Sequence, residues 1–324
     1  MSHEIREHDS MAYVGAVPWH GLGTPLDKVA TAEEALKVAG LGWHVEKESV
    51  FLKSGTEVPD QFAVVRQDIG IPLGIVGTVY RPLQNREAFS FFDAVVGEKL
   101  AMYHTAGSLV NGRKVWILAK LPGEVRVTGD DVTEKYLLLT NSHDGSSAVK
   151  IMFTPIRVVC QNTLNVAVIL GERRQNIRHT ATMGLKVSDV REGLGIINER
   201  FELFGEAARA MTQVQVNGEG WRAMLKDVGI IPADEGRKLT SRTENIMEEV
   251  SKLFEHGQGN DFPGVKGTAW GAFNALAEYA DYHRGTRTQK GGPGMREQRA
   301  DALLFGSGAK LKQKAWDAAL VLAK

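Results

Sequence analysis

Two apolar, β-branched runs separated by a short polar turn constrain this chain most. Residues 136–140 form one run and residues 149–159 the other, and between them lies Asn141-Ser142-His143-Asp144-Gly145-Ser146-Ser147. Alternation of apolar and polar residues between turn formers predicts two strands joined across a hairpin-like loop. After the second run come the single cysteine, Cys160, and Gln161-Asn162-Thr163, a pattern that predicts a helix reaching about residue 170. His143, Asp144, Arg157, Gln161 and Asn162 are therefore expected along one sheet edge. Two readings of this edge stand side by side. The same residue types form ordinary turns and caps. They also suit a polyanion or nucleotide site, with Lys150 and Arg157 as fixed charges and His143, Ser146 and Asn162 as neutral donors.

The flanking sequence extends the β pattern. Residues 1–26 hold two prolines and several glycines around Trp19, and read as an arm without a strand or helix of its own. Thr31 then caps a helix that buries Leu36, Val38 and Ala39 and stops at Gly40-Leu41-Gly42. From Trp43 to Tyr80 three consecutive strands without intervening helices predict an antiparallel meander. A helix over residues 85–97 follows, with Phe89, Phe92 and Val96 at core spacing. Two further strands meet at Val110-Asn111-Gly112, the Asn-Gly pair being a strong hairpin signal. Residues 122–131 read as a polar connection. The fold class is α+β: a curved antiparallel sheet with packed helices, then a mainly helical C-terminal region. The expected divisions are an arm and helix at 1–42, an α+β core at 43–185, and a helical region at 186–324 with long helices at 187–212 and 241–256.

Charge is neutral overall and uneven locally. Lys plus Arg and Asp plus Glu each number 39, yet residues 150–191 hold seven basic residues against two acidic ones. Residues 284–324 hold nine against three. The first stretch carries Lys150, Arg157, Arg173, Arg174, Arg178 and His179; the second carries Arg284, Arg287, Lys290 and Arg296 in a glycine-rich loop. Arginines beside aromatics suit single-stranded nucleic acid, where bases stack and phosphates pair, and Trp270 and Tyr282 are the expected stacking residues. Lys310, Lys312 and Lys314 extend the positive character. A charge run is equally often a solvated face.

Several chemistries lack their signatures. One cysteine excludes an internal disulfide framework and a cysteine-based zinc site, and points to a reduced, cytoplasmic setting. Cys160 itself reads as a small core residue. No phosphate-binding GxxxxGK[ST], dinucleotide-binding GxGxxG or HExxH occurs. Asp130-Asp131 could meet a metal but reads as a solvated pair. No cofactor or metal is expected, and no run approaches a membrane span.

Six segments carry a resemblance. They are Gly40-Leu41-Gly42-Trp43-His44-Val45, Gly74-Ile75-Val76-Gly77 followed by Tyr80, Thr105-Ala106-Gly107-Ser108-Leu109, the turn from Asn141 to Ser146, Thr154-Pro155-Ile156-Arg157-Val158-Val159-Cys160-Gln161-Asn162-Thr163-Leu164, and Asn274-Ala275-Leu276-Ala277-Glu278-Tyr279. Together they resemble the phage- and plasmid-associated family labelled domain of unknown function 932 over nearly the whole chain. The resemblance implies a mobile-element origin and supplies no reaction or catalytic residues. In outline, a strand meander, helix, basic groove and arm are also similar to phage single-strand annealing proteins, which form rings on DNA. The leading expectation is a non-enzymatic, homo-oligomeric protein that binds single-stranded DNA or RNA in recombination or strand annealing. The alternatives are a metal-dependent enzyme acting on nucleic acid or nucleotides through His143 and Asp144, and a structural or host-interaction protein.

Overall fold

The computed structural model describes residues 11–14, 24–26, 32–96, 102–147, 149–157, 176–177, 187–234, 236, 238–284 and 306–323. Helix α1 (Ala32–Val38) opens the first long described segment. It buries Ala35, Leu36 and Ala39. Gly40, at φ 63°, ends it. The Leu41 amide then reaches back to the Leu36 carbonyl and the Gly40 amide to that of Lys37. This paired closure is the usual way a positive-φ glycine stops a helix.

The expected meander is present. Strands β3 (Val45–Phe51), β4 (Glu57–Arg66) and β5 (Ile71–Gly77) pair antiparallel in order. They form a sheet of their own, however, and not one end of a single curved sheet. The second sheet has seven strands. Its members are β1 (Met11–Val14), β2 (Thr24–Leu26), β6 (Met102–Leu109), β7 (Lys114–Thr128), β8 (Asp131–Ser142), β9 (Val149–Arg157) and β10 (Asn176–Ile177), in the spatial order β10-β9-β8-β7-β6-β1-β2. The N-terminal stretch is thus not a strandless arm. Ala12 and Tyr13 are buried in β1, which runs antiparallel to β6 and parallel to β2. Trp19, Thr31 and the expected helix after Gln161 lie outside the described residues.

Residues 122–128 belong to β7 and are not a connection. The register shifts between Lys120 and Glu124, where Pro122 and Gly123 sit, and then resumes against β8. A bulge accommodates the missing proline donor, which is why the strand survives it. The expected hairpin at Asn111-Gly112 joins β6 to β7, with Val110, Asn111 and Gly112 all at positive φ.

The remaining elements are helical. Helix α2 (Asn85–Val96) follows the small sheet; α3 (Val187–Thr212), α4 (Gly218–Asp227), α5 (Ser241–His256), α6 (Ala269–Glu278) and α7 (Ser307–Leu322) make the C-terminal part. Asn217, Thr240 and Thr268 cap α4, α5 and α6 through their side-chain oxygens. Helix α6 is buried on every side and runs on into a π turn, Tyr279–His283. A helix apolar all round belongs in the middle of a bundle. One hydrophobic cluster joins α1, both sheets, α3 and the C-terminal helices, so Val115, Ile117 and Ala119 of β7 share a core with Phe201, Phe204 and Trp270.

Candidate functional site

The polar turn after β8 is where the two sheets meet. The His143 amide extends the ladder by donating to the Arg113 carbonyl, at 2.8 Å. Its ring is fully buried, and Nε2 lies 3.0 Å from Asn85 Oδ1 at the start of α2. Asn85 uses its amide nitrogen on the Leu41 and Trp43 carbonyls, so its oxygen accepts and His143 Nε2 carries the proton. Asn141 donates to the Leu83 carbonyl at 3.0 Å. Trp43 meets the His143 ring edge-on at 5.3 Å, and the Arg66 guanidinium covers the indole at 4.4 Å. Arg66 is held in turn by both oxygens of Asp68 and by the Asn111 carbonyl.

Asp144 lies beside this knot. Its Oδ1 accepts from the Ser142 hydroxyl and from the Ser146 amide. Burial pushes its carboxyl upward, but the hydrogen bonds from Ser142 and Ser146 and the charge of Lys114 outweigh that and hold it below the usual range. Tyr80 donates to the Ser142 carbonyl at 2.8 Å, and burial together with the Asp144 charge raises its phenol. Backbone contact closes the joint. A Cβ on Gly74 of β5 would stand 2.6 Å from the Asp144 Cα and carbonyl oxygen. Gly112, at φ 98°, admits the Trp43 ring, which a Cβ there would meet at 2.8 Å. His143, Asp144 and Ser146 are therefore brought together, in an arrangement that braces the fold and encloses the imidazole. The sequence pointed to the turn; it did not point to Trp43, Arg66, Asn85 or Gly112 as its partners. The available signals were Gly-Trp-His after a helix stop and Asn at a helix start.

Two residues of the expected basic track, Lys150 and Arg157, lie on β9. Lys150 pairs with Thr140 on one side and Asn176 on the other. Arg157 pairs with Thr133, seven positions along the same unbroken register. At about 3.3 Å per residue the two positions are roughly 23 Å apart along the strand. Arg173, Arg174, Arg178, His179, Gln161, Asn162, Arg287, Lys290 and Arg296 lie outside the described residues. Arg284 donates to the Ser307 carbonyl at 2.8 Å and so ties the end of the π turn to the start of α7. Tyr282, within that turn, is partly buried.

Trp270 requires correction. It is fully buried among Phe204, Phe273 and Trp316, and its indole N–H donates to Asp131 Oδ2 at 2.7 Å. A ring enclosed by three other aromatics offers no face to a base. Asp131 is likewise buried rather than solvated. Lys312 does not extend a positive surface: its ammonium donates to Asp281 at 2.8 Å, with side-chain exposures of 0% and 3%. Asn274 and Glu278 are buried too, bonded to the Trp270 carbonyl and the Gln258 amide.

Among the described residues no three His, Cys, Asp or Glu side chains gather as a metal site. None of their helices is long and apolar enough to cross a membrane. Comparison with curated proteins and with solved structures finds no match. A family model does match, over residues 72–304, which is most of the chain. That match places this chain in the family described as domain of unknown function (DUF932).

Proposed function

We propose that this protein binds single-stranded nucleic acid without altering it chemically, in a phage or other mobile-element setting where strand annealing or recombination would use it. The observation that carries the reading is the distribution of charge over the fold. Within the described scaffold, Arg66, Lys120, Arg126, Lys135 and Lys312 are each paired with a carboxylate. The positive excess of the sequence lies in two other stretches. Residues 158–186 carry four basic residues against one acidic, and residues 285–305 carry four against two. Each is attached to the scaffold at a defined point, the first where Asn176–Ile177 pairs with β9 and the second where Arg284 meets Ser307. In this reading the basic residues of these two stretches are the ones that meet phosphates. An enzymatic reading at His143 lacks such support, because a fully enclosed ring does not meet substrate.

The test is anisotropy of a labelled oligothymidylate titrated at 50 and 200 mM salt. If six of these residues contact phosphates, log affinity falls with log salt at a slope of about −4, or roughly 250-fold over that range. Substituting Arg173, Arg174 and Arg178 together by Ala should reduce the slope by about 2. Absence of binding at 50 mM salt overturns the reading.

A further inference from the structure

We infer that the free edge of the small sheet, along β3, takes up an extended basic peptide as a fourth strand, one with Lys or Arg at every second position. The occupant is a segment of a partner protein, so the inference goes beyond the single-strand reading and stands apart from it.

In the order β3-β4-β5, β3 has a neighbouring strand on one side only. Bonds at its start sort its backbone groups. The His44 carbonyl accepts from the Gln67 amide, on the β4 side. Val45 turns the other way: its amide donates to Gln84 Oε1 at 3.0 Å and its carbonyl accepts from Gln84 Nε2 at 2.9 Å. Backbone groups alternate sides along an antiparallel strand, so those of Lys47 and Ser49 also point away from β4. At Val45 the Gln84 side chain already does what a residue of an added strand would do. Past Val45 the edge runs on to Phe51, and among the described residues no strand lies beside it. Glu46, Glu48, Ser49 and Phe51 are exposed.

The side chains select the occupant. Alternation sets Glu46 and Glu48 on one face of the strand. Glu48 accepts from the Gln67 side-chain amide at 2.9 Å, and Glu46 lies 3.5 Å from His44 Nε2; among the described residues neither meets a lysine or arginine. The Lys47 ammonium turns to the opposite face, where the Gly77, Thr78 and Tyr80 carbonyls hold it. A second copy of the chain fits this edge badly. With Lys47 of one copy opposite Ser49 of the other, Glu48 would meet Glu48; with Lys47 opposite Lys47, each Glu46 would meet a Glu48. Like charges directly opposite destabilise a sheet. A peptide with a cation at every second position sets one against each carboxylate instead, while its backbone bonds to Lys47 and Ser49. Charge on an edge strand guards against indiscriminate pairing. Here its single sign on that face also admits the complementary strand. At the hairpin tip Phe51 and Leu52 are 59% and 57% exposed, and offer apolar contact where the edge runs out.

The experiment follows the anisotropy of a labelled nine-residue peptide alternating Lys and Thr, titrated with the full chain at 50 mM salt, where surface charge is least screened. It should bind more tightly than a peptide alternating Glu and Thr, and more tightly than one of its own composition with the lysines contiguous. Glu46→Gln with Glu48→Gln should weaken binding by about 2- to 30-fold, the worth of two exposed ion pairs. Ser49→Pro should bind about 2- to 13-fold more weakly than Ser49→Ala, because both lose the hydroxyl that meets Glu57 and only proline lacks the outward amide. That amide takes no part in the β3–β4 ladder, so the sheet tolerates the proline, as thermal unfolding of the variant should verify. A further measurement needs no variant: adding the Lys–Thr peptide to the parent should slow hydrogen exchange at the Lys47 and Ser49 amides. Failure of that peptide to bind, equal binding of the contiguous-lysine peptide, equal affinity of the Pro and Ala variants, or unchanged exchange at Lys47 and Ser49 each overturns the inference. So does a parent dimer in sedimentation that Ser49→Pro dissociates, since a second copy would then hold the edge.

Discussion

Replacing Lys312 by Met should destabilise the protein far more than the loss of an ordinary ion pair, because the charge left behind has nowhere to go. Lys312 on α7 and Asp281 in the π turn are 2.8 Å apart with side-chain exposures of 0% and 3%. Taking both ions out of water costs several kcal/mol each, offset by their attraction. Removing the ammonium alone leaves a buried carboxylate short of its cation, a loss of about 3–5 kcal/mol. With an unfolding entropy of about 2.1 cal/mol/K per residue, 324 residues give roughly 0.7 kcal/mol/K, so Tm should fall by about 4–7 °C. Substituting both residues, Lys312→Met with Asp281→Leu, should restore most of the loss, since an apolar replacement of a buried pair is often neutral. Lys252→Met provides the contrast. Its partner Glu248 is at 2.7 Å but both side chains are about two-thirds exposed, so its Tm should match the parent within error. Thermal unfolding of the four proteins decides the matter. If Lys312→Met behaves like Lys252→Met, or the double variant is as weak as the single one, burial does not govern the strength of this pair.

Three further outcomes are expected. Gly74→Ala should lower stability by about 1–3 kcal/mol in urea unfolding, because the new methyl carbon meets the Asp144 backbone at 2.6 Å and neither strand nor turn can yield freely. Asp144→Asn should remove a pH-dependent contribution. The folded-state carboxyl is held low, so it stabilises above its unfolded value near pH 4, and that gain is lost as pH falls through the folded value. The stability gap between parent and variant should therefore be present at pH 6 and shrink below about pH 4; a gap constant with pH refutes the assignment. Trp270→Phe should cost about 1.5–3 kcal/mol by depriving buried Asp131 of its indole donor, with no change in strand binding per molecule of folded protein. A selective loss of strand binding in that variant would return Trp270 to the binding surface.

Much of the fold was legible because its signals are local. The glycine stop at Gly40, the meander of residues 45–77, the Asn111-Gly112 hairpin and the long helices at 187–212 and 241–256 each announce themselves within a dozen residues or so. What escaped depends on distant pairing. Nothing near Met11–Val14 says that it will bond to β6 some ninety residues later, and so the N-terminal stretch read as an arm. Pro122 read as a strand end because a proline usually is one, whereas a bulge absorbs it here. Trp270 is ambiguous in sequence for a different reason. Aromatics beside glycines and arginines look alike in sequence whether they fill a core or face a ligand, and only the placement of Asp131 and Trp316 distinguishes the two. At the polar turn, residue types identified a cluster around His143, but Asn85 and Trp43, the groups that set its character, come from elements far upstream.

The joint at His143 also governs how the protein can be cut. The span matched by the family model begins at residue 72, within β5, and stops at residue 304, before α7. A fragment trimmed to those limits would keep His143 but discard Trp43 and Arg66, and would keep Asp281 but discard Lys312. Each of these two buried polar groups would lose the neighbour that shelters it, so the limits of family similarity are not the limits of an independently folding piece.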